Sequence, residues 1–304
     1  MMELTALQQQ MQQILPDCNM RFFEPMAAHT SLRIGGNAEI MAFPKNEEEL
    51  CALLKLSALT DCKYYILGAG TNVLAPDEGL SGIVICMKDC LESMEDLGDH
   101  RIRVSAGVSM TRAAVFAANL GLSGLEFAHG IPGSVGGGVY MNAGAYGGEI
   151  SQVCQSVTAM TPHGKVVKYS ADELDFSYRH SCLEETGEIV LSVEFQLVPK
   201  PADEIKDTMK QLMAKRSASQ PLDLPSAGSA FKRPENGYAA ALIDEAGLKG
   251  FQCGNAQIST KHAGFAVNLG GATAKDMTQL LQSVSDKVFE NSKIRLVPEI
   301  RIWR

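Results

Sequence analysis

The sequence lacks a surplus of positive charge. Its 27 Lys and Arg stand against 35 Asp and Glu, a formal net charge of −8, which argues against a general nucleic-acid binder that neutralises phosphates with a broad basic face. An anionic ligand would have to be met by a local basic cluster. The sequence also lacks a Cys-x-x-Cys pair. Its eight cysteines, Cys18, Cys51, Cys62, Cys86, Cys90, Cys154, Cys182 and Cys253, are scattered, so neither a zinc ribbon nor a thioredoxin-like site is indicated and no metal is expected. Buried free thiols in a reducing compartment account for them. No apolar stretch approaches the roughly 20 residues of a membrane helix, and no basic segment followed by an apolar run stands at the N-terminus. A cytoplasmic soluble protein without membrane insertion is expected. There is no repeat or low-complexity tract, and 304 residues at 45% hydrophobic suffice for two or three domains with real cores.

Leu4, Leu7, Met11 and Ile14 recur at helical spacing and predict an amphipathic N-terminal helix closed by Pro16. Asn46 followed by Glu49 resembles a capping box and opens a helix through Leu59, after which Lys63 to Leu67 predicts a short strand ending in glycine. Further strands are expected over 83–87 and 101–105, and a helix over 111–120. A hairpin is expected from 153–161 and 166–169, and a long strand over 188–198. Beyond Pro199 and Pro201, helices are expected over 203–215, 238–246 and, after Thr273, 274–289, with a last strand over 299–303. The class is α+β. The expected organisation is an N-terminal helix over 1–18, a glycine-rich domain over 19–200 in two subdomains divided near residue 88, and a smaller C-terminal domain over 201–304.

Two glycine-rich loops stand out. Gly68-Ala69-Gly70-Thr71-Asn72 follows a strand, but Val73 replaces the third glycine of a dinucleotide fingerprint, and Pro76, Gly79 and Gly82 interrupt what should be a helix. Asp89 lies at the distance of a ribose-binding acid, yet without that helix the spacing carries little weight, and a Rossmann site is rejected. A strand-to-loop turn remains whose N–H groups could approach an anion, with Thr71 and Asn72 as side-chain donors. A tight turn with no ligand explains it equally well. The second loop, from Gly130 to Glu149, holds Gly130, Gly133, Gly136, Gly137, Gly138, Gly144, Gly147 and Gly148. That density carries a large entropic cost on folding, as expected where backbone must pass close to something bulky or adopt positive φ. Ser134 and Asn142 add a hydroxyl and an amide among them. Two such loops suit a cofactor containing a diphosphate.

The chain carries HTSLRIGGNAE at His29, LGAGTNVLAPDEGLSGIVI at Leu67, SAGVSM at Ser105, GIPGSVGGGVYMNAGAYGGEI at Gly130 and FSYRHS at Phe176. These are followed by PSAGSAFKRP at Pro225, EAGLKG at Glu245 and VPEIR at Val297. With them, across nearly its whole length, the chain resembles the UDP-N-acetylenolpyruvoylglucosamine reductases of bacterial cell-wall synthesis. The resemblance implies non-covalently bound FAD in a vanillyl-alcohol-oxidase-like (PCMH-type) fold, with a separate C-terminal domain that helps to hold the sugar nucleotide. It further implies the shorter form of the enzyme, without an extra substrate-domain insertion. Carried over as cofactor-binding are Gly68, Ala69, Gly70, Thr71 and Asn72, and Gly130, Ile131, Pro132, Gly133, Ser134, Gly137, Asn142 and Gly144. His129 adjoins the second loop, and no flavin-linking histidine is evident between Gly68 and Asn72.

The implied reaction uses NADPH as co-substrate to reduce FAD, from which hydride passes to the enolpyruvyl methylene carbon of UDP-N-acetylglucosamine enolpyruvate. The negative charge that develops calls for a fixed cation and a proton donor. Arg179, Ser229 and Glu299 match the family's catalytic positions. Arg179 offers a permanently charged planar fork for a carboxylate, and Ser229 is the expected proton donor. Glu299 is expected either to orient Arg179 or to assist the developing enol. Read without the family, the arginine would be a surface ion-pair residue, the serine a turn residue and the glutamate a guard of a strand edge. Lys232 and Arg233 form a basic pair for a diphosphate. Ser219 stands where many relatives carry lysine and Arg233 where some carry asparagine, so the detailed contacts stay open. Tyr178, Gln257 and His262 are pocket-lining candidates and serve equally well as packing residues. A monomer is expected. The competing readings are a flavin oxidase of the same fold and a non-enzymatic dinucleotide-binding module that would need no Ser229.

Overall fold

The computed structural model describes residues 6–88 and 90–304. Leu4, placed in the N-terminal helix, and Asp89, weighed as a ribose ligand, lie outside the described residues. The chain divides into two compact units that are discontinuous in sequence. The first comprises 1–22, 40–69 and 82–214, and the second comprises 23–39, 70–81 and 215–304. These units follow contacts rather than chain order, so they differ from the contiguous blocks expected from composition. The segments 23–39 and 70–81 fall within the second unit because their backbone groups are bonded there, as with Asn268 Nδ2 to Leu32 O (2.9 Å) and Arg301 N to Asn72 O (3.0 Å).

A mixed sheet, most of whose residues fall in the first unit, has strands in the order Asn19–Pro25, Asn37–Phe43, Leu80–Cys86, Tyr64–Leu67. Its last two strands are parallel, with Tyr64 opposite Ile83. The connection between them contains no helix, which agrees with rejecting a Rossmann crossover. The helix Glu47–Thr60 begins where Asn46 Oδ1 accepts from Glu49 N at 2.9 Å, and ends at Asp61 in the left-handed region. The expected capping box is only half formed, since the Glu49 carboxylate reaches Lys45 N instead of Asn46 N. Leu50, Leu53 and Leu54 of this helix are fully buried, and each contributes about 2 kcal/mol by leaving water. The first unit's other sheet is antiparallel, in the order Val166–Ser170, Cys154–Met160, Ile189–Gln196, Arg101–Ser105, Met94–Gly98. It includes the expected hairpin.

The second unit holds a four-stranded sheet, Ser226–Ser229, Phe265–Asn268, Ala256–Ile258, Gln252–Cys253. The helix Ala274–Ser292 buries Met277, Leu280, Leu281, Val284 and Val288 at helical spacing. Thr273 caps it in a reciprocal box with Asp276, as the sequence predicts. The last strand is shorter than expected, Arg301–Ile302, and runs parallel to Val73–Leu74. Helices and sheets alternate irregularly in both units, so the α+β class holds. Among the described residues no helix is long and apolar enough to cross a membrane, and no group of three or more His, Cys, Asp or Glu could hold a metal ion.

All eight cysteines are free. Burial pushes the Cys18 thiol up to about 11 and those of Cys90 and Cys154 up to about 12. In the unfolded chain a thiol ionises near its ordinary value of 9.0, so these groups bind more protons when folded. Their contribution to stability is complete below pH 9 and is lost as pH rises through 9 towards 11 and 12. Urea midpoints should therefore fall above pH 9, and at neutral pH an alkylating reagent followed by mass spectrometry should label Cys62 and Cys253 well before these three.

Candidate functional site

In the first unit the two glycine loops touch one another. A Cβ on Gly68 would lie 2.7 Å from Ser134 Oγ, so the first loop runs directly over the start of the second. Ser134 is buried and caps the helical turn Val135–Tyr140, its Oγ accepting from Gly137 N. That turn is fastened to the segment before it by Val135 N to Val108 O (2.8 Å), Gly136 N to Ala106 O (2.9 Å) and Met110 N to Gly133 O (3.0 Å). A Cβ on Gly136 would meet Ala106 Cβ at 2.9 Å, so this glycine serves backbone packing. Gly136 is required by close approach to the protein itself, and a short helix within the loop was not expected.

Asn142 is 1% exposed. Its Oδ1 accepts from Ser151 N and its Nδ2 donates to Ser177 O, each at 3.0 Å. Its side chain thus helps to hold the loop. Beside Gly130, His129 Nδ1 is buried with no hydrogen-bond partner, while its carbonyl accepts from Thr111 Oγ1 at 2.6 Å. An orphaned buried ring nitrogen costs about 1–3 kcal/mol unless something outside the chain meets it. Its place at the glycine loop fits a bound dinucleotide.

Tyr178 and Arg179 form the tip of a tight turn closed by reciprocal bonds between Ser177 and His180, both 3.2 Å. Arg179 has φ +56, a left-handed conformation that favours glycine and that a long side chain adopts at a cost. The guanidinium stacks on the exposed Tyr178 ring at 5.1 Å and donates through Nη2 to Gly144 O at 3.3 Å. The cation is therefore tied to the glycine loop of its own unit.

In the second unit the backbone just after Ser229 is bonded to the backbone around Glu299, ahead of the last strand. Glu299 N donates to Ala230 O at 2.9 Å, Lys232 N donates to Val297 O at 2.8 Å, and Phe231 bridges Pro298. Ser229 pairs with Phe265, whereas Ser226 pairs with Val267. One extra residue is accommodated as a bulge, at Gly228 with φ +77, and such bulges re-aim the next side chain. Ser229 is exposed. Glu299 is 9% exposed, an unusual degree of burial for a glutamate.

The first loop beyond Ala69 belongs to this unit. Gly70, at φ +66, lies so close to the His29 carbonyl that a side chain would clash, and its own carbonyl accepts from Ser31 N at 3.0 Å. Asn72 donates Nδ2 to Glu299 O at 3.2 Å, and its carbonyl accepts from Arg301 N. Its side-chain amide thus fastens the chain just ahead of the last strand. Lys232 is half-buried, and Arg233 stacks on Tyr238 at 4.3 Å. Gln257 Nε2 donates to Gly250 O at 3.3 Å, so its amide is used in packing. His262 accepts through Nδ1 from Gly264 N at 3.1 Å and meets Phe265 edge to face. Burial holds its pKa below the ordinary imidazole value. It also lines a cleft with Asp244, Lys249, Lys261 and Ala263. These two lysines escaped the sequence reading, although Lys249 lies in the quoted EAGLKG and Lys261 adjoins His262.

Residues 38–170 match the family model described as FAD binding domain, and 220–303 match that of the UDP-N-acetylenolpyruvoylglucosamine reductase C-terminal domain. The chain is 44% identical to the UDP-N-acetylenolpyruvoylglucosamine reductase of Agathobacter rectalis over 95% of both chains, and 43% identical to that of Streptococcus pneumoniae over 98% of both. The crystal structure of UDP-N-acetylenolpyruvylglucosamine reductase from Thermus caldophilus superposes with a TM-score of 0.80 at 36% identity, covering 94% of this chain and 99% of that one. With both halves matched and identity sustained over nearly the full length, the chain belongs to the UDP-N-acetylenolpyruvoylglucosamine reductase family.

Proposed function

We propose that this protein reduces UDP-N-acetylglucosamine enolpyruvate to UDP-N-acetylmuramate, with electrons from NADPH, in the synthesis of peptidoglycan precursors. One observation carries the reading. A chain of this family pairs glycine-lined loops around an orphaned His129 in one unit with a bulge-presented Ser229 beside a buried Glu299 in the other. Gly68, Ala69, Ile131, Pro132, Gly133, Ser134, Gly137 and His129 hold FAD non-covalently, with Gly70 and Thr71 contributing backbone and hydroxyl groups. When bound, FAD would supply hydride-transfer chemistry between NADPH and the enolpyruvyl methylene carbon. Arg179 meets the substrate carboxylate, into which the developing charge delocalises, with a fork already held in place. Ser229 gives its hydroxyl proton to the neighbouring carbon, completing the lactyl group.

The backbone bond from Glu299 N to Ala230 O, next to the serine, supports its assisting the developing enol. Lys232, with Lys249 and Lys261 near His262, supplies the local positive charge that an acidic protein needs for a diphosphate. The C-terminal segment 201–304 acts as the substrate domain, and the enzyme works as a cytoplasmic monomer. The test is to purify the protein, record its visible spectrum and follow NADPH absorbance. A yellow protein should consume NADPH rapidly only once the enolpyruvyl sugar nucleotide is added. A protein that takes up no FAD, or one that makes peroxide from a reduced organic substrate instead, would overturn the proposal.

A further inference from the structure

The segment from Gly70 to Ser81 has no helix of its own. Its fixed points in the second unit suggest what it does. At one end, Asn72 O accepts from Arg301 N and Leu74 O from Trp303 N, both at 3.0 Å, and Asn72 Nδ2 donates to Glu299 O at 3.2 Å. In the middle, Pro76 O accepts from Gly36 N at 2.8 Å. Next along, the Asp77 carboxylate accepts from Ala274 N at 2.6 Å and Lys275 N at 3.0 Å. It thus grips the first turn of Ala274–Ser292, where a negative charge is favoured by the helix dipole.

That helix already has its own cap in Thr273 and Asp276. What the local cap cannot supply is a tie between the helix and the loop. Towards the other end of the helix, Ser285 Oγ donates to Leu296 O at 2.8 Å, fixing the chain just ahead of Glu299. The stretch 274–303 is therefore fastened to a single loop at both its beginning and its end, with Glu299 within the span. We propose that Asp77 is a positioning residue for Glu299, holding the loop that in turn holds the last strand. The inference rests on the reading of Glu299 as catalytic.

The test uses Asp77→Ala and Asp77→Asn in the flavin-loaded protein, with two readouts. The first is hydrogen exchange at the Arg301 and Trp303 amides. It should rise in Asp77→Ala, while amides in the first-unit sheet such as Val193 stay protected. The second is the split between half-reactions. Flavin reduction by NADPH should be unchanged, and reoxidation by the enolpyruvyl substrate should slow by about fivefold, with Asp77→Asn in between. Adding Asp77→Ala to Asn72→Ala should slow the reaction little further, because both cut one connection. Unchanged exchange at Arg301 and Trp303 overturns the inference, as does raised exchange with an unaltered substrate step. A wild-type protein inactive towards the substrate would sink the functional reading as well. An active wild type with an unaffected Asp77→Ala sinks this inference alone.

Discussion

Ser229→Ala should leave flavin reduction by NADPH nearly intact while slowing reduction of the enolpyruvyl sugar nucleotide by about 10²-fold or more. The asymmetry follows from chemistry. Hydride transfer into the flavin needs no proton from the serine, whereas the substrate carbon next to the attacked one must be protonated before product can leave. Its presentation supports a chemical rather than a structural role. The residue is exposed, follows a glycine at φ +77 and stands at a register shift in its strand. Replacing it should barely change stability, because an exposed hydroxyl contributes little. Stopped-flow absorbance of each half-reaction decides the matter, and an equal loss in both would make the serine structural.

Substitutions at Arg179 should separate the effect on rate from the effect on stability. Arg179→Ala and Arg179→Gly both remove the guanidinium, and both should cost about 10²- to 10³-fold in substrate reduction if it meets developing carboxylate charge. The two variants should nevertheless differ in stability by about 1 kcal/mol in favour of glycine, because alanine retains the steric cost of the left-handed conformation and glycine does not. The native φ of +56 is thus strain kept at a working position. Arg179→Lys should recover little, since an ammonium is a point charge and cannot offer the planar fork. Urea unfolding beside steady-state kinetics tests all three. Equal stabilities for the alanine and glycine variants would remove the strain argument, and full activity in Arg179→Lys would remove the fork argument.

Much of the local structure was legible in the chain. The helix after Asn46, the helix after Thr273, the hairpin at 154–170 and the strand 101–105 are all announced by caps, period and turn residues, because those signals act within a few residues of where they are read. The absence of a Rossmann crossover followed from Pro76, Gly79 and Gly82. The glycine density of 130–149 was legible, but one of its reasons was not. Gly136 is needed by the Ala106 backbone and side chain next to it, a neighbour far away in the chain. The commitment of Asn142 to Ser151 and Ser177, and of Asn72 to Glu299, was illegible for the same reason. A side-chain amide shows that it can donate and accept, and only packing shows to whom.

By itself the sequence determined the α+β class, the two glycine loops, and the motifs in which Arg179, Ser229 and Glu299 stand, since composition, period and motif are properties of order along the chain. Only the tertiary structure decided that 23–39 and 70–81 pack with the C-terminal segment, that Glu299 is bonded to the backbone beside Ser229, and that Asp77 grips the helix at Ala274. These are pairings across large sequence separations. Backbone donors and acceptors must be satisfied somewhere, and local sequence does not name the partner that satisfies them.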